Sequence, residues 1–332
     1  MRQFLLFLLF LPLLLQAKTV YITPIGGLEV EKLFYDPYAY RDQCAKPFCV
    51  LREALEAAGY KVKFSVHGEN LEDFTAFISL TDEHPELLKN LAKVPRKRCF
   101  LHMFESPIIM PSLYRESLSN HFGKVYILST DLVDNVNRFQ MYYVQPNLKM
   151  VEETADFAQK KLCAIIAGNK DSDNPKSLYR ERKQVISFFT RNYPNDLDLY
   201  GPDWSGYALW RGQAKSKWET LKNYKFSFCY ENVRNQRGYV TEKIFDSMIA
   251  GCVPIYWGAD NITDFVPAEC FIDRRKFATT RELYRFLKSM SRKTYEGYIE
   301  AIRKYFDSPQ AHLFSIDHFV QTILSDIAEC DK

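Results

Sequence analysis

The sequence predicts an α/β protein in which two parallel-sheet units follow one another along the chain. Three observations predict it. Short apolar runs alternate with helical patterns, first over residues 20–129 and again over 162–273. Residues 226–258, FSFCYENVRNQRGYVTEKIFDSMIAGCVPIYWG, read as one whole repeat of such a sheet: strand, polar loop, amphipathic helix, glycine stop, strand. The chain also has 332 residues, 47% of them hydrophobic, which is enough for two domains with their own cores.

Taken in order, the chain opens with MRQFLLFLLFLPLLLQAK, where Arg2 precedes the apolar run 4–15 and Ala17 offers a small residue before Lys18. That is the layout of a secretory signal peptide. The run is short for a membrane span, which needs ~20 apolar residues, and Pro12 interrupts it. Residues 1–17 are therefore read as a signal peptide or, alternatively, an uncleaved signal anchor through which the protein would associate with a membrane. Either reading sends the protein to a secretory-pathway lumen or a cell-envelope compartment.

The first unit, 18–150, is expected to have strands at 20–22, 60–66, 74–80, 98–104 and 125–129, with helices at 47–58 and 85–91. The second, 151–310, runs strand 162–167, helix 178–192, strand 197–200, helix 214–221, and then the repeat at 226–258. In that repeat Ile244, Phe245, Met248 and Ile249 fall on one helical stripe. Gly251 follows the last turn, where a left-handed residue is wanted. Residues 253–257 are continuously apolar, as in a strand covered on both faces. A loop is expected at 261–267, a short strand at 270–273 and helices from 281 to 327; 311–332 is set apart as a C-terminal helix. The halves join near 150–159. Each is Rossmann-like, and ligands of such sheets bind at the carboxyl ends of the strands, so the cleft between the halves is the expected site.

Composition narrows the chemistry. The net charge is only +3 and no long Lys/Arg block occurs, so nucleic acid is not an expected partner and an anionic ligand must be held by a local site. None of the eight cysteines forms a Cys-x-x-Cys pair, and the six histidines lack ligand spacing, so no metal site is expected. Cys99, Cys163, Cys229 and Cys252 fall in apolar strands as small core residues, whereas Cys44 and Cys49 flank a loop and could bridge in an oxidising lumen. No Gly-x-Gly-x-x-Gly occurs, which disfavours a nicotinamide enzyme. Asp171-Ser172-Asp173 has the Asp-x-Asp form of metal-dependent transferases but lies among turn-forming residues. Asn261-Ile262-Thr263 is a glycosylation sequon, meaningful only in a eukaryotic lumen. The oddity is Lys243, which sits at the positive end of a helix dipole, a cost of a few tenths of a kcal/mol or more unless an anion docks there.

The repeat resembles the donor-binding signature of the α1,3/4-fucosyltransferases, glycosyltransferase family 10. Tyr230-Glu231-Asn232 stands for its Phe-Glu-Asn, Tyr239-Val240-Thr241-Glu242-Lys243 matches its Tyr-Val-Thr-Glu-Lys, and residues 253–258 match its closing strand and glycine. The match is ungapped after Gly238, and the resemblance covers most of 96–275. It departs at Tyr230, at Cys252 in an alanine position, and in lacking a paired-cysteine C-terminal motif. The resemblance implies a GT-B architecture, two Rossmann-like domains facing a cleft. It implies an inverting transfer of L-fucose from GDP-fucose to a hydroxyl of an oligosaccharide, glycoprotein or glycolipid acceptor, α1,3 to GlcNAc, in a Golgi-like lumen with no cofactor required.

Residue by residue, the resemblance implies that Glu105, in Phe104-Glu105-Ser106-Pro107, is the general base. Arg182, with Arg180 as rival, would hold the donor phosphates; Asn232 and Tyr239 would contact the donor, Glu242 the ribose hydroxyls and Lys243 the diphosphate. The chemistry suits these residue types. An acceptor hydroxyl needs a base, a departing diphosphate needs positive charge, guanidinium matches phosphate bidentately, and a carboxylate accepts two hydroxyl protons. Two alternatives are a non-catalytic glycan- or nucleotide-binding protein of the same fold and a metal-dependent GT-A transferase using Asp171 and Asp173.

Overall fold

The computed structural model describes residues 18–26, 28–69, 71, 73–80 and 85–330; the leader, 1–17, lies outside them. Among the described residues no helix is long and apolar enough to cross a membrane. β1 (Thr19–Ile22), β2 (Lys61–Phe64), β3 (Phe74–Ser79), β4 (Cys99–Met103), β5 (Lys124–Ile127) and β6 (Arg138–Gln140) form a parallel sheet in the order β2-β1-β3-β4-β5-β6. β7 (Lys161–Ile166), β8 (Leu197–Tyr200), β9 (Tyr224–Tyr230), β10 (Val253–Trp257) and β11 (Ile272–Asp273) form a second, in the order β11-β10-β9-β7-β8. The chain leaves β7 toward β8 and then returns to the other side of β7 with β9. That reversal opens a crevice at the carboxyl ends of β7 and β9.

In the first half α1 (Val30–Tyr35), α2 (Lys46–Ala57), α3 (Pro85–Leu91) and α4 (Glu116–Ser119) pack around the sheet; in the second, α5 (Tyr179–Asn192), α6 (Lys217–Leu221), α7 (Glu242–Ile249), α8 (Thr280–Ser289) and α9 (Arg292–Phe306) do. α10 (Pro309–His312) leads to α11 (Ile316–Cys330). α7 forms where the apolar stripe was read: Ile244, Phe245, Met248 and Ile249 are wholly buried. Gly251 ends it at φ +65°, where a Cβ would meet Thr154 at 2.7 Å. β10 then pairs with β9 from Val253 opposite Phe226 to Trp257 opposite Tyr230.

The structure departs from the sequence reading in four places. The helix expected over 214–221 starts only at Lys217, because the Ser216 hydroxyl caps it by accepting from the Glu219 amide at 3.1 Å. α1, α4 and β6 were not anticipated. Cys44 and Cys49 are free thiols, with Cys49 inside α2 and its Sγ on the Leu33 carbonyl. Most consequential, α11 returns to the first half, where Phe319, Val320, Ile323 and Ile327 join the core formed by Val20, Ile22, Leu51 and Ile78. Asp326 on α11 accepts from Tyr126 Oη at 2.6 Å and Lys124 Nζ at 2.7 Å. Beneath it His102 of β4 stacks on Tyr126 with centroids 4.6 Å apart. Neither His102 ring nitrogen has a partner among the described residues, and burial pushes its pKa down to about 3.

Candidate active site

A cavity of about 360 Å³ lies at the crevice, with Ile166, Ala167 and Gly168 at the end of β7 and Tyr230 at the end of β9 in its wall. Five cationic side chains line it, Arg41, Lys170, Arg182, Lys217 and Lys243, against two carboxylates, Glu242 and Asp246. The wall is thus net positive in a chain of nearly neutral overall charge.

Arg182 occupies the first turn of α5 and is buried. Its Nη2 donates to the carbonyls of Tyr230 at 2.6 Å and Glu231 at 2.8 Å and to Asn232 Oδ1 at 3.2 Å. The guanidinium is therefore tied to the end of β9 through one nitrogen. Of the two candidate arginines, Arg182 lines the cavity and Arg180 is exposed on the helix surface.

Lys243 meets an anion supplied by the protein itself. Glu231 is fully buried, accepts from the Thr241 amide at 2.8 Å and hydroxyl at 2.7 Å, and lies 3.2 Å from Lys243 Nζ. The lysine also donates to Thr241 Oγ1 at 3.0 Å and lies 3.6 Å from Glu242 Oε1. Burial lifts the Glu231 carboxyl above its ordinary range, with Lys243 pulling against it. Glu242 goes the other way: burial opposes its charge, but Lys243 and Lys217 outweigh that and hold it well below the ordinary range. Lys217 Nζ lies 3.4 Å from Glu242 Oε1 and 2.5 Å from Asp246 Oδ2, whose other oxygen accepts from Trp218 Nε1 at 3.0 Å. Burial disfavours the Lys217 ammonium, yet Asp246 and Glu242 keep its pKa above the ordinary value.

Glu105 follows β4 in the first half and reaches the second. Its Oε1 accepts from Tyr239 Oη at 2.5 Å and from the Ser106 amide at 2.9 Å, and its Oε2 lies 3.4 Å from Asn232 Nδ2. Asn232 Nδ2 also sits 3.2 Å from Tyr239 Oη and lines the cavity, so Glu105 stands at the cavity's edge. Tyr114 Oη holds the Glu105 carbonyl at 2.8 Å. The loop between β9 and α7 makes the junction: Gln236 Nε2 donates to Ser129 Oγ at 2.9 Å, and the Arg237 carbonyl accepts from the Thr130 amide at 3.0 Å. Gly238, at φ +79°, leaves no room for a side chain, since a Cβ would sit 2.2 Å from the Leu128 carbonyl oxygen.

All six sequence-read site residues thus gather at one crevice. Sequence reasoning missed Lys217, Asp246 and Arg41, which lack any local pattern, and placed Glu231 in the signature without the pairing to Lys243 that the fold gives it. Asp171 and Asp173 are exposed on their loop, and Asp171 pairs with Lys183 at 2.5 Å.

A family model described as glycosyltransferase family 10 (fucosyltransferase) C-term matches residues 157–323. The chain is 33% identical over 126 residues to alpha-(1,3)-fucosyltransferase 7 of Mus musculus, covering 37% of this chain and 31% of that protein. It is 23% identical over 214 residues to GDP-fucose protein O-fucosyltransferase 3 of Bos taurus, covering 60% and 41% respectively. The chain spans between about an eighth and two fifths of the length of the curated relatives it matches. A crystal structure of an alpha1,3-fucosyltransferase superposes on 96% of this chain and 92% of its own with a TM-score of 0.58 at 15% identity, a likeness of fold. The architecture is GT-B, not the GT-A arrangement that a role for Asp171 and Asp173 would require.

Proposed function

Because the chain belongs to glycosyltransferase family 10, we propose that it transfers L-fucose from GDP-fucose to a hydroxyl of an acceptor glycan with inversion, α1,3 to GlcNAc. The observation that carries this reading is the position of Glu105: a carboxylate from the first half bonded to Asn232 and Tyr239 of the donor signature, at the rim of a net-positive cavity. In this reading the diphosphate lies against Arg182 and Lys243, and Glu242 accepts the ribose hydroxyls. Tyr239 holds Oε1 of Glu105, leaving Oε2, whose contact with Asn232 is long, to take the acceptor proton. As that proton moves to Glu105, the acceptor oxygen bonds the anomeric carbon from the face opposite the diphosphate. The carbon–oxygen bond to phosphate breaks, and its electron pair leaves on GDP. The cationic wall supplies the charge that the departing diphosphate needs, so GDP-fucose is the only small molecule this reading requires. The leader suits delivery to a secretory lumen, Golgi-like in a eukaryotic host.

A second acceptor is favoured by the alignment to the O-fucosyltransferase, which covers 60% of this chain against 37% for the glycan-modifying relative. A serine or threonine hydroxyl on a folded protein would then replace the sugar hydroxyl, with the same base and donor site. The test is incubation with labelled GDP-fucose and two panels, GlcNAc-containing glycans and folded protein domains, with the anomeric configuration of the product read by NMR. Label on glycans in an α linkage supports the first reading, and label on protein hydroxyls the second. Absence of transfer to both, with GDP bound, would leave a binding protein of the same fold.

A further inference from the structure

We propose that Arg41 supplies the first-half side of the donor's diphosphate site, so that donor binding ties the two halves together across the cleft. Arg41 belongs to the loop between α1 and α2, far in sequence from the donor signature, yet it lines the same cavity as Arg182, Lys217 and Lys243. The loop is held there by contacts with the second half. Arg41 Nη1 donates to the Ala214 carbonyl at 3.2 Å, and Asp42 accepts from Ser216 Oγ at 2.5 Å and from the Lys217 amide at 2.9 Å. The Asp42 side chain is only 6% exposed. Asp42 and Gln43 are successive non-glycine residues at φ +58° and +57°, a conformation that persists only where the surroundings over-determine it.

The second observation is electrostatic. Arg41 stands close enough to Lys217 to work against that ammonium's charge, it lines the same cavity, and its side chain is 43% exposed. Its Nη2 has no partner among the described residues. Like charges gathered from two halves of a protein are unfavourable until an anion enters between them, and a planar guanidinium is the group best matched to phosphate oxygens. Lys243 and Lys217 are held by buried carboxylates at 3.2 and 2.5 Å, whereas Arg41 Nε lies a longer 3.6 Å from Asp42 Oδ2 and its Nη1 is on the Ala214 carbonyl, which leaves Nη2 for a further acceptor.

This inference rests on the donor reading above, and the experiment separates the two. Calorimetric titration of the full chain with GDP, GMP and guanosine is made on the wild type, Arg41→Ala and Arg41→Lys. Arg41→Ala is expected to weaken GDP about ten- to hundred-fold, the range of a charge-assisted hydrogen bond, and GMP and guanosine by less. Arg41→Lys should recover part of the loss, since charge survives without the fork. GDP affinity within about two-fold of wild type in Arg41→Ala would overturn this proposal alone. An equal loss for all three ligands would also overturn it, since that marks a damaged pocket. A wild-type protein that does not bind GDP would overturn the donor reading and this proposal together.

Discussion

Lys243→Met removes a charge from the buried cluster while keeping the length of the side chain, and the result depends on pH in a definite way. At 3.2 Å, with an effective dielectric of about 20, the Lys243–Glu231 attraction is about 5 kcal/mol before desolvation is counted. Removing one partner of such a pair costs ~3–5 kcal/mol, and the two bonds that Glu231 keeps from Thr241 favour the lower end, about 3 kcal/mol. Glu231 titrates above its ordinary value of 4.5 because of burial, and without Lys243 it rises further. An acid with a raised folded pKa binds its proton more readily folded than unfolded. The variant is therefore least harmed below pH 4.5, where Glu231 is protonated in both states, and loses about 1.4 kcal/mol per pH unit above it until the carboxylate ionises in the fold. Thermal melts by circular dichroism at pH 4, 5.5 and 7 read this directly; at pH 7 a fall of about 4 °C is expected for a chain of 332 residues. Adding Glu231→Gln should restore most of it. A loss that is the same at pH 4 and 7, or that Glu231→Gln fails to relieve, would refute the argument that the buried carboxylate is its source.

Three other outcomes are expected. Glu105→Gln should lower transfer ~10²–10⁴-fold, the usual share of general-base catalysis, with calorimetric GDP affinity little changed; near-normal transfer would release Glu105 from its role. Gly238→Ala places a methyl 2.2 Å from the Leu128 carbonyl at a positive φ, and a destabilisation of about 1–3 kcal/mol with reduced transfer should appear in denaturant titration and product assays. His102 stays neutral in the fold to about pH 3 but takes up a proton below 6.5 once unfolded, so it drains stability as pH falls between those values. Relative to wild type, His102→Leu should gain about 2–3 kcal/mol between pH 7 and 4.5; a difference independent of pH would assign the drain elsewhere.

The parts legible in the sequence are those set by local rules. The unit β9–α7–β10 could be read because its helix has one apolar stripe, a glycine where φ turns positive and a strand that begins at once. Arg182 could be placed by its spacing to the buried face of α5. What stayed hidden was set by contacts between distant segments. α1 has six residues and β6 three, too short for a period to show. Lys217 carries no local mark; it matters because α6 faces α7 and brings it to Asp246. The sequence reading looked for an external anion beside Lys243, whereas the fold brings Glu231, from the end of β9, beneath it. Glu105's meeting with Asn232 and Tyr239 depends on how the halves abut, which the close approach at Gly238 and the bonds to Ser129 and Thr130 determine.

The return of α11 gives the molecule an order of assembly. The first half is not complete when its sixth strand leaves the ribosome: the residues that close its core, Phe319, Val320, Ile323 and Ile327, arrive more than 170 residues after Gln140. At ~5–20 residues per second that is a delay of roughly ten to thirty-five seconds. During it the second half can build its whole sheet while the first waits with an apolar face uncovered and Tyr126 lacking Asp326. The half synthesised first is thus the half that matures last. Protease pulses on nascent chains should find 161–273 protected before 19–140, and a chaperone that shields apolar surface would have its longest engagement with the first half.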